Sequence, residues 1–416
     1  MLKHGVPSLK NFMATLAING GEHVRTDSYP TWPTQDPADI EAFESIYKSG
    51  QWGVGGPKVP EFAQQFAKFQ GAKYGVCVNS GTSALYIALK AAGVCPGDEV
   101  ITTPYTFQAT VVAILMTHAV PVFVDTAPDS FLLDPSKVEA AITEKTKVIL
   151  PVHIAGYPAD LDALVDIANR HNLGIVEDCA QAHGAEWRGR GVGSWGHFGC
   201  FSFQSSKNLC AGEGGIVLIN DRELYERAWA LHNCGRTLPD AEFGEAEPFG
   251  GNFRMTEWQA GLLLSRLTRL EAETNYRHKN MRWLDGWLGE IPGIKVTPLD
   301  PRATRGGCHG YKAIFDAEEF EDISRETFLR AMRAEGIPMG YWYSTPMYRA
   351  SFLASNLFGQ DLNYDDVHCP ETEKICQTGL SLSQNVLMAS EEDIEDIIKA
   401  AIKIRRNVAE LKTETS

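Results

Sequence analysis

The stretch "YGVCVNSGTSALYIALKAAG", residues 74–93, decides the fold. Its opening, "YGVCVN" (74–79), is a short apolar run of the kind that makes a buried strand, and "SALYIALKAAG" follows at once with helical spacing. A strand that passes straight into a helix is the first half of a β-α-β unit, which sets parallel strands side by side. The same alternation continues to about residue 220 through "DEVITT" (98–103), "VPVFVD" (120–125), "KVILPVHI" (147–154), "GIVED" (174–178), "GCFSFQ" (199–204) and "GGIVLI" (214–219). "LDALVDIANRH" is one of the helical patterns between them. The expected fold class is therefore α/β, a mainly parallel sheet with helices on both faces, whose ligands gather beyond the carboxyl ends of the strands.

With 416 residues the chain exceeds what one core usually organises. We expect an N-terminal segment and large domain over 1–290 and a smaller C-terminal α+β domain over 291–416. A long helix is predicted from Thr256 to about Tyr276, with Leu263, Leu264, Leu267 and Leu270 on one stripe behind a threonine cap. The Pro- and Gly-containing stretch 291–307 interrupts the pattern. A last helix starts at Ser390, with Asp393 placed for a capping box and Ile394, Ile397, Ile398, Ala401 and Ile402 as its buried stripe.

The net charge of −15 repels a phosphate backbone, which argues against a nucleic-acid partner. Nine cysteines without a CxxC pair or metal-like clustering suit a reducing compartment and predict no metal. The apolar "FMATLAI" (12–18) has a minimal core and no small-residue cleavage pattern after it, so it does not read as a signal peptide. No run is long enough to span a bilayer. The expectation is a cytoplasmic protein without a membrane partner.

Three strand ends carry chemistry. At "NSGTSAL" (79–85), free backbone N–H groups, the helix dipole and the hydroxyls of Ser80, Thr82 and Ser83 can cradle a phosphate; the same hydroxyls can instead only cap the helix. At "GIVEDCAQAHG" (174–184), Asp178 leaves an apolar strand where it can hold a proton on a heterocyclic nitrogen, or cap the next helix. In "FSFQSSKNLCAGEGG" (201–215), Lys207 is either a solvated loop charge or a desolvated amine able to form a Schiff base. A phosphate cradle, a carboxylate for a ring nitrogen and a Schiff-base lysine are the three groups that pyridoxal phosphate requires. "PYTF" (104–107) adds an aromatic that can stack on its ring.

With these motifs the sequence resembles the DegT/StrS family of pyridoxal-phosphate-dependent sugar and cyclitol aminotransferases. The likeness runs from "AINGG" (17–21) and "YPTWP" (29–33) through "PVHIAG" (151–156) and "EDCAQAHGA" (177–185) to "GGNFRMTEWQAGLL" (250–263). It implies fold type I, aspartate-aminotransferase-like, and a homodimer with active sites at the subunit interface. It makes Lys207 the internal-aldimine lysine of pyridoxal 5'-phosphate, Asp178 the partner of the ring nitrogen, Gln181 the neighbour of the ring hydroxyl and Phe107 the stacking ring. Gly81, Thr82, Ser83 and Ser202 then receive the phosphate, and Asn252 reaches the phosphate of the neighbouring subunit. Keto-cyclitol aminotransferases and 3-amino-5-hydroxybenzoate synthases are the subgroups most alike.

The resemblance thus implies transfer of an amino group from L-glutamine or L-glutamate to a keto-sugar or keto-cyclitol. Related sugar dehydratases carry a histidine at the lysine's position, whereas Lys207 is present here. A dehydrating, aromatising synthase keeps the lysine and stays open, as does a regulator that binds the cofactor without turnover. Arg236 can hold a donor carboxylate or form a surface ion pair. Tyr341 and Tyr343 can reach a polyhydroxylated substrate or pack as core aromatics. His153 and His183 read as hydrogen-bonded structural histidines.

Overall fold

The structure is a computed structural model that describes residues 15–238, 249–355 and 362–414. Seven strands form the central sheet: β1 (Tyr74–Val78), β2 (Glu99–Thr102), β3 (Val120–Phe123), β4 (Thr146–Leu150), β5 (Gly174–Asp178), then β8 (Phe198–Ser202) and β9 (Gly215–Ile219). Between β5 and β8 the chain makes a two-stranded ribbon, β6 (Glu186–Trp187) and β7 (Arg190–Gly191). The order across the sheet is β1-β9-β8-β5-β4-β2-β3. Only β9 runs antiparallel to its neighbours, so "GGIVLI" enters the sheet against the parallel direction of the rest.

Both faces of the sheet are covered because successive side chains alternate. Val76, Val78, Val148, Leu150 and Val176 join one core cluster with helices α3 (Gly81–Ala91) and α4 (Gln108–Met116), introduced after α1 (Pro37–Ser49) and α2 (Lys58–Gln70). Cys77, Phe201, Ile216 and Leu218 face the other way, against Phe62 and Phe66 of α2. Ile101, Ile149 and Ile175 pack on the same side as Leu164 and Ile167 of α6 (Leu161–His171), which follows the short α5 (Pro135–Val138). Helix α7 (Arg222–His232) leads to α8 (Glu257–Leu288).

Helix α8 extends twelve residues past Tyr276, its expected end, because Met281, Leu284 and Leu288 continue the buried stripe and no proline interrupts it. Inside the 291–307 interruption lies a short strand, β10 (Ile294–Val296), at the edge of an antiparallel sheet with β11 (Gly310–Phe315) and β12 (Gly379–Ser383). Helices α9 (Arg325–Ala334), α10 (Pro370–Thr378) and α11 (Glu391–Arg406) complete this part. Ser390 and Asp393 form the capping box of α11. Of its expected stripe, Ile402 is only half-buried, and Ile404 takes the buried place.

The chain's beginning packs on this C-terminal part. Glu335, fully buried, accepts from Ala17 N (2.9 Å), Val24 N (3.2 Å) and Lys403 Nζ (2.9 Å). Residues 12–14 of "FMATLAI" lie outside the described residues, whereas Leu16 is buried in the core. Among the described residues no helix is long and apolar enough to cross a membrane. All nine cysteines are free thiols.

Candidate active site

Register brings the chemical motifs to one edge of the sheet. Gly215 pairs with both Val78 and Ser202, and one strand further Asp178 pairs with Cys200. The turn after β1, the end of β8 and the end of β5 therefore open into one crevice. A Cβ on Gly81 would stand 2.6 Å from that of Ser202, and one on Gly215 would stand 2.5 Å from Ser80 O. Only glycine lets the start of α3 approach the strands so closely.

The crevice is a cavity of about 620 Å³. Gly81, Thr82, Phe107, Asp178, Gln181, Ser202, Lys207, Tyr341 and Tyr343 all line it. Ser80 caps α3: its Oγ accepts from Ser83 N at 3.1 Å, and Ser83 Oγ lies 3.0 Å from it. Ser83 thus supports the turn from behind and is not part of the cavity wall. The remaining N–H groups of the first turn stay available for an anion. Phe107, the residue before α4, leaves 56% of its surface exposed in the wall, unusual for a phenylalanine and suited to a stacked ring.

Asp178 is buried, and burial raises the pKa of its carboxyl. Thr110 Oγ1 donates to its Oδ2 (2.8 Å) and Ala180 N to its Oδ1 (3.1 Å), which pull the other way, as does the charge of Lys207. Burial lowers the pKa of Lys207, opposed by Asp178. Among the described residues the Lys207 amine has no hydrogen-bond or ion-pair partner.

Glu177, adjacent to Asp178 in sequence, faces the opposite side of the strand. It is fully buried and accepts from Gly193 N (2.7 Å), Trp195 N (2.9 Å) and Gly196 N (2.7 Å). His153 Nε2 lies 3.1 Å from it, and His153 Nδ1 accepts from Ala159 N at 2.9 Å. His153, Glu177 and Cys179 are grouped closely enough for a metal, yet the imidazole and carboxylate atoms are already occupied by these bonds. His183 bonds Ser202 O through Nε2 at 2.9 Å, and burial brings its pKa down to about 3, so it stays neutral.

Gln181 is fixed at both ends: its Oε1 accepts from Ala155 N (2.7 Å) and its Nε2 donates to Tyr343 Oη (3.4 Å). Tyr343 also packs edge-on against Tyr105, and Tyr341 lies under the Arg325 guanidinium. Arg236 and Asn252 are exposed and stand apart from this chain's cavity. Sequence reasoning missed Thr110, His309 and Trp342. His309 Nδ1 lies 3.1 Å from Asn208 Oδ1, and burial with the nearby Lys207 charge holds its pKa well below the usual histidine range. No local pattern marks "CHGYK" as cavity wall; only the return of β11 beside the lysine loop does.

A parallel α/β sheet whose strand ends join a half-buried lysine, a buried carboxylate and a free helix N-terminus defines a pyridoxal-phosphate-dependent transferase. Residues 33–402 match the model of the DegT/DnrJ/EryC1/StrS aminotransferase family, and the chain belongs to that family. It is an aminotransferase. A protein of Micromonospora echinospora, provisionally named L-glutamine:3-amino-2,3-dideoxy-scyllo-inosose aminotransferase, is 38% identical over 95% of this chain and 98% of its own length. The L-glutamine:2-deoxy-scyllo-inosose aminotransferase of the same organism is 36% identical over 96% of this chain and 100% of its own. The crystal structure of 3-amino-5-hydroxybenzoic acid synthase superposes with a TM-score of 0.81 at 33% identity, covering 92% of this chain and 100% of that one.

Proposed function

We propose that the protein moves an amino group from L-glutamine to a keto-cyclitol on pyridoxal 5'-phosphate bound in the cavity. The observation that carries this is the wall itself. Among the described residues Lys207 is its only cation, Asp178 and Glu213 are its acidic groups, and the rest of its polar surface is uncharged: Gln181, Gln204, Ser206, His309, Tyr341 and Tyr343 among others. Such a wall suits a neutral polyol ring and offers nothing to the diphosphate of a nucleotide sugar. The inosose substrates in the names of the relatives agree with it.

The cofactor fits the residues present. The first turn of α3 with Thr82 and Ser202 would hold the phosphate, exposed Phe107 would cover the ring, and Gln181 would meet the ring hydroxyl. When bound, pyridoxal phosphate supplies the carbonyl that carries the amino group and a ring that draws electrons from the donor's α-carbon. Asp178, oriented by Thr110, would hold the proton on the ring nitrogen that makes this withdrawal effective. Lys207, freed by the donor, has a lowered pKa and so has its Nζ available to move the α-carbon proton.

The homodimer is supported by an apolar surface. Ile40, Phe43 and Tyr47 of α1 and Trp52 and Val54 beyond it are exposed, and Trp52 and Phe43 lean on Trp258. A second copy would cover this patch. Asn252, outside this chain's cavity, would then serve the partner's.

The test is the visible spectrum of the cofactor-loaded protein with L-glutamine and no acceptor. Loss of the yellow band in the wild type, and no such loss in Lys207→Ala, is expected. A Lys207→Ala protein that sustains steady-state transamination would refute the assignment. A second reading, a dehydrating and aromatising synthase, draws on the likeness to the synthase structure; turnover of an aminodehydroquinate-type substrate, with no donor bleaching, would favour it.

A further inference from the structure

The loop that carries Lys207 is gripped from outside the sheet. Trp32, in "YPTWP", directs its indole N–H between two backbone carbonyls, Ser205 O at 3.1 Å and Lys207 O at 3.2 Å. On the loop's other side, Asn208 Nδ2 donates to Gly307 O (2.7 Å) and Cys308 O (3.3 Å). Lys207 N itself turns back to Gln204 O at 2.9 Å. The peptide bearing the catalytic amine is thus pinned on both flanks, while the amine is left free.

Trp32 is held in its turn. The Arg277 guanidinium lies 5.0 Å from the centre of its ring. Arg277 is 0% exposed, its Nε has no partner among the described residues, and its ion pair with Glu273 is long at 3.4 Å. A buried cation so poorly hydrogen-bonded needs a compensating face, and the indole provides it. Upstream, Asn385 Nδ2 donates to Pro30 O (2.7 Å), Tyr29 Oη to Asp393 O (3.1 Å), and Arg25 pairs with Asp393 and Asp396. The segment 25–32 is a strap anchored on α11 and the turn before it that ends on the lysine loop.

We propose that Trp32 is a positioning residue for Lys207: its N–H fixes the peptide from which the amine projects, and Arg277 fixes the indole. The proposal rests on the Lys207 assignment above. A catalytic amine must be held to a fraction of an ångström, and residues behind it do that holding.

The test replaces the indole N–H while keeping an aromatic ring on Arg277, in Trp32→Phe. A second variant carries benzothienylalanine at 32, which keeps the indole's shape and exchanges N–H for sulfur. Amide hydrogen exchange across 204–209 is expected to accelerate by about fivefold, the factor carried by one neutral hydrogen bond, with the rest of the sheet unchanged. In the cofactor-loaded protein the pH midpoint of the visible band moves, and kcat for the donor half-reaction falls by roughly tenfold with KM within about twofold. Wild-type exchange at 204–209 and an unmoved pH midpoint in both variants would overturn the proposal, even with a lower melting temperature, because packing alone would account for Trp32. Failure of the wild type to bleach with any donor would overturn the functional reading instead, and the exchange comparison would still decide the grip on the loop.

Discussion

Lys312 gives a stability prediction with a defined sign. It sits in the middle of β11, fully buried, with its Nζ 4.1 Å from the centre of the Tyr157 ring and 4.8 Å from that of Phe131. Burial pushes its pKa down from an ordinary 10.5 to about 7, only partly opposed by Asp285. The Asp285 carboxyl is itself pushed up by burial. Below pH 7 the amine is charged in both folded and unfolded chains, and the folded state bears the full desolvation cost. Between about 7 and 10.5 the unfolded chain holds a proton that the folded one lacks, so stability rises with pH through this window and levels off above it. The shift sets a ceiling of roughly 5 kcal/mol on that cost. Lys312→Met keeps the length of the side chain and removes the titration. It should stabilise the protein by about 2–4 kcal/mol at pH 6, and the gain should shrink by up to about 3 kcal/mol at pH 9. Urea unfolding of both proteins at the two pH values measures this directly. A gain independent of pH, or a loss at pH 6, would refute the reasoning.

Thr110→Val removes the hydroxyl that favours ionised Asp178, so the carboxyl pKa rises and the acid limb of the donor half-reaction should move up by about one pH unit; an unmoved limb in the pH profile would dismiss the role of Thr110. Glu335→Ala removes the carboxylate that faces the buried Lys403, leaving its amine only Glu22 O (2.6 Å), and unpairs the amides of Ala17 and Val24, so it should lower unfolding free energy by about 3–5 kcal/mol. An unchanged urea midpoint would show that the staple contributes nothing.

The large sheet was legible because buried strands write their own signature: all seven expected runs are strands, and Asp178, Ser202 and Lys207 stand at or just beyond strand ends on one crevice. The antiparallel direction of β9 was not legible, since period-two burial is the same whichever way a strand runs. Helix α8 outruns its expected end because Arg277 and Asn280, just beyond Tyr276, are buried polar residues that break a hydrophobic count without breaking a helix. Ser83 illustrates a further limit: sequence places it on the turn, but only coordinates tell that its hydroxyl turns to Ser80. Thr110, His309 and Trp32 escaped for a common reason. Each acts on a motif residue from a distant segment, 68 positions away in the case of Thr110 and Asp178 and 175 for Trp32 and Lys207.

The same burial acts on both central groups with opposite sign, raising Asp178 and lowering Lys207, so desolvation favours the neutral form of each. What separates them is hydrogen bonding. Asp178 receives two donors, Thr110 Oγ1 and Ala180 N, which favour its anion, whereas Lys207 receives no partner that would favour its cation beyond the charge of Asp178. The cavity thereby sets a carboxylate whose anion is hydrogen-bonded beside an amine whose cation is not, at the ends of two adjacent strands. That division requires an amine denied partners, and clamping the backbone at Ser205, Lys207 and Asn208 achieves this while leaving Nζ alone. Rigidity of the peptide and poverty of contacts at the amine are therefore two parts of one electrostatic arrangement.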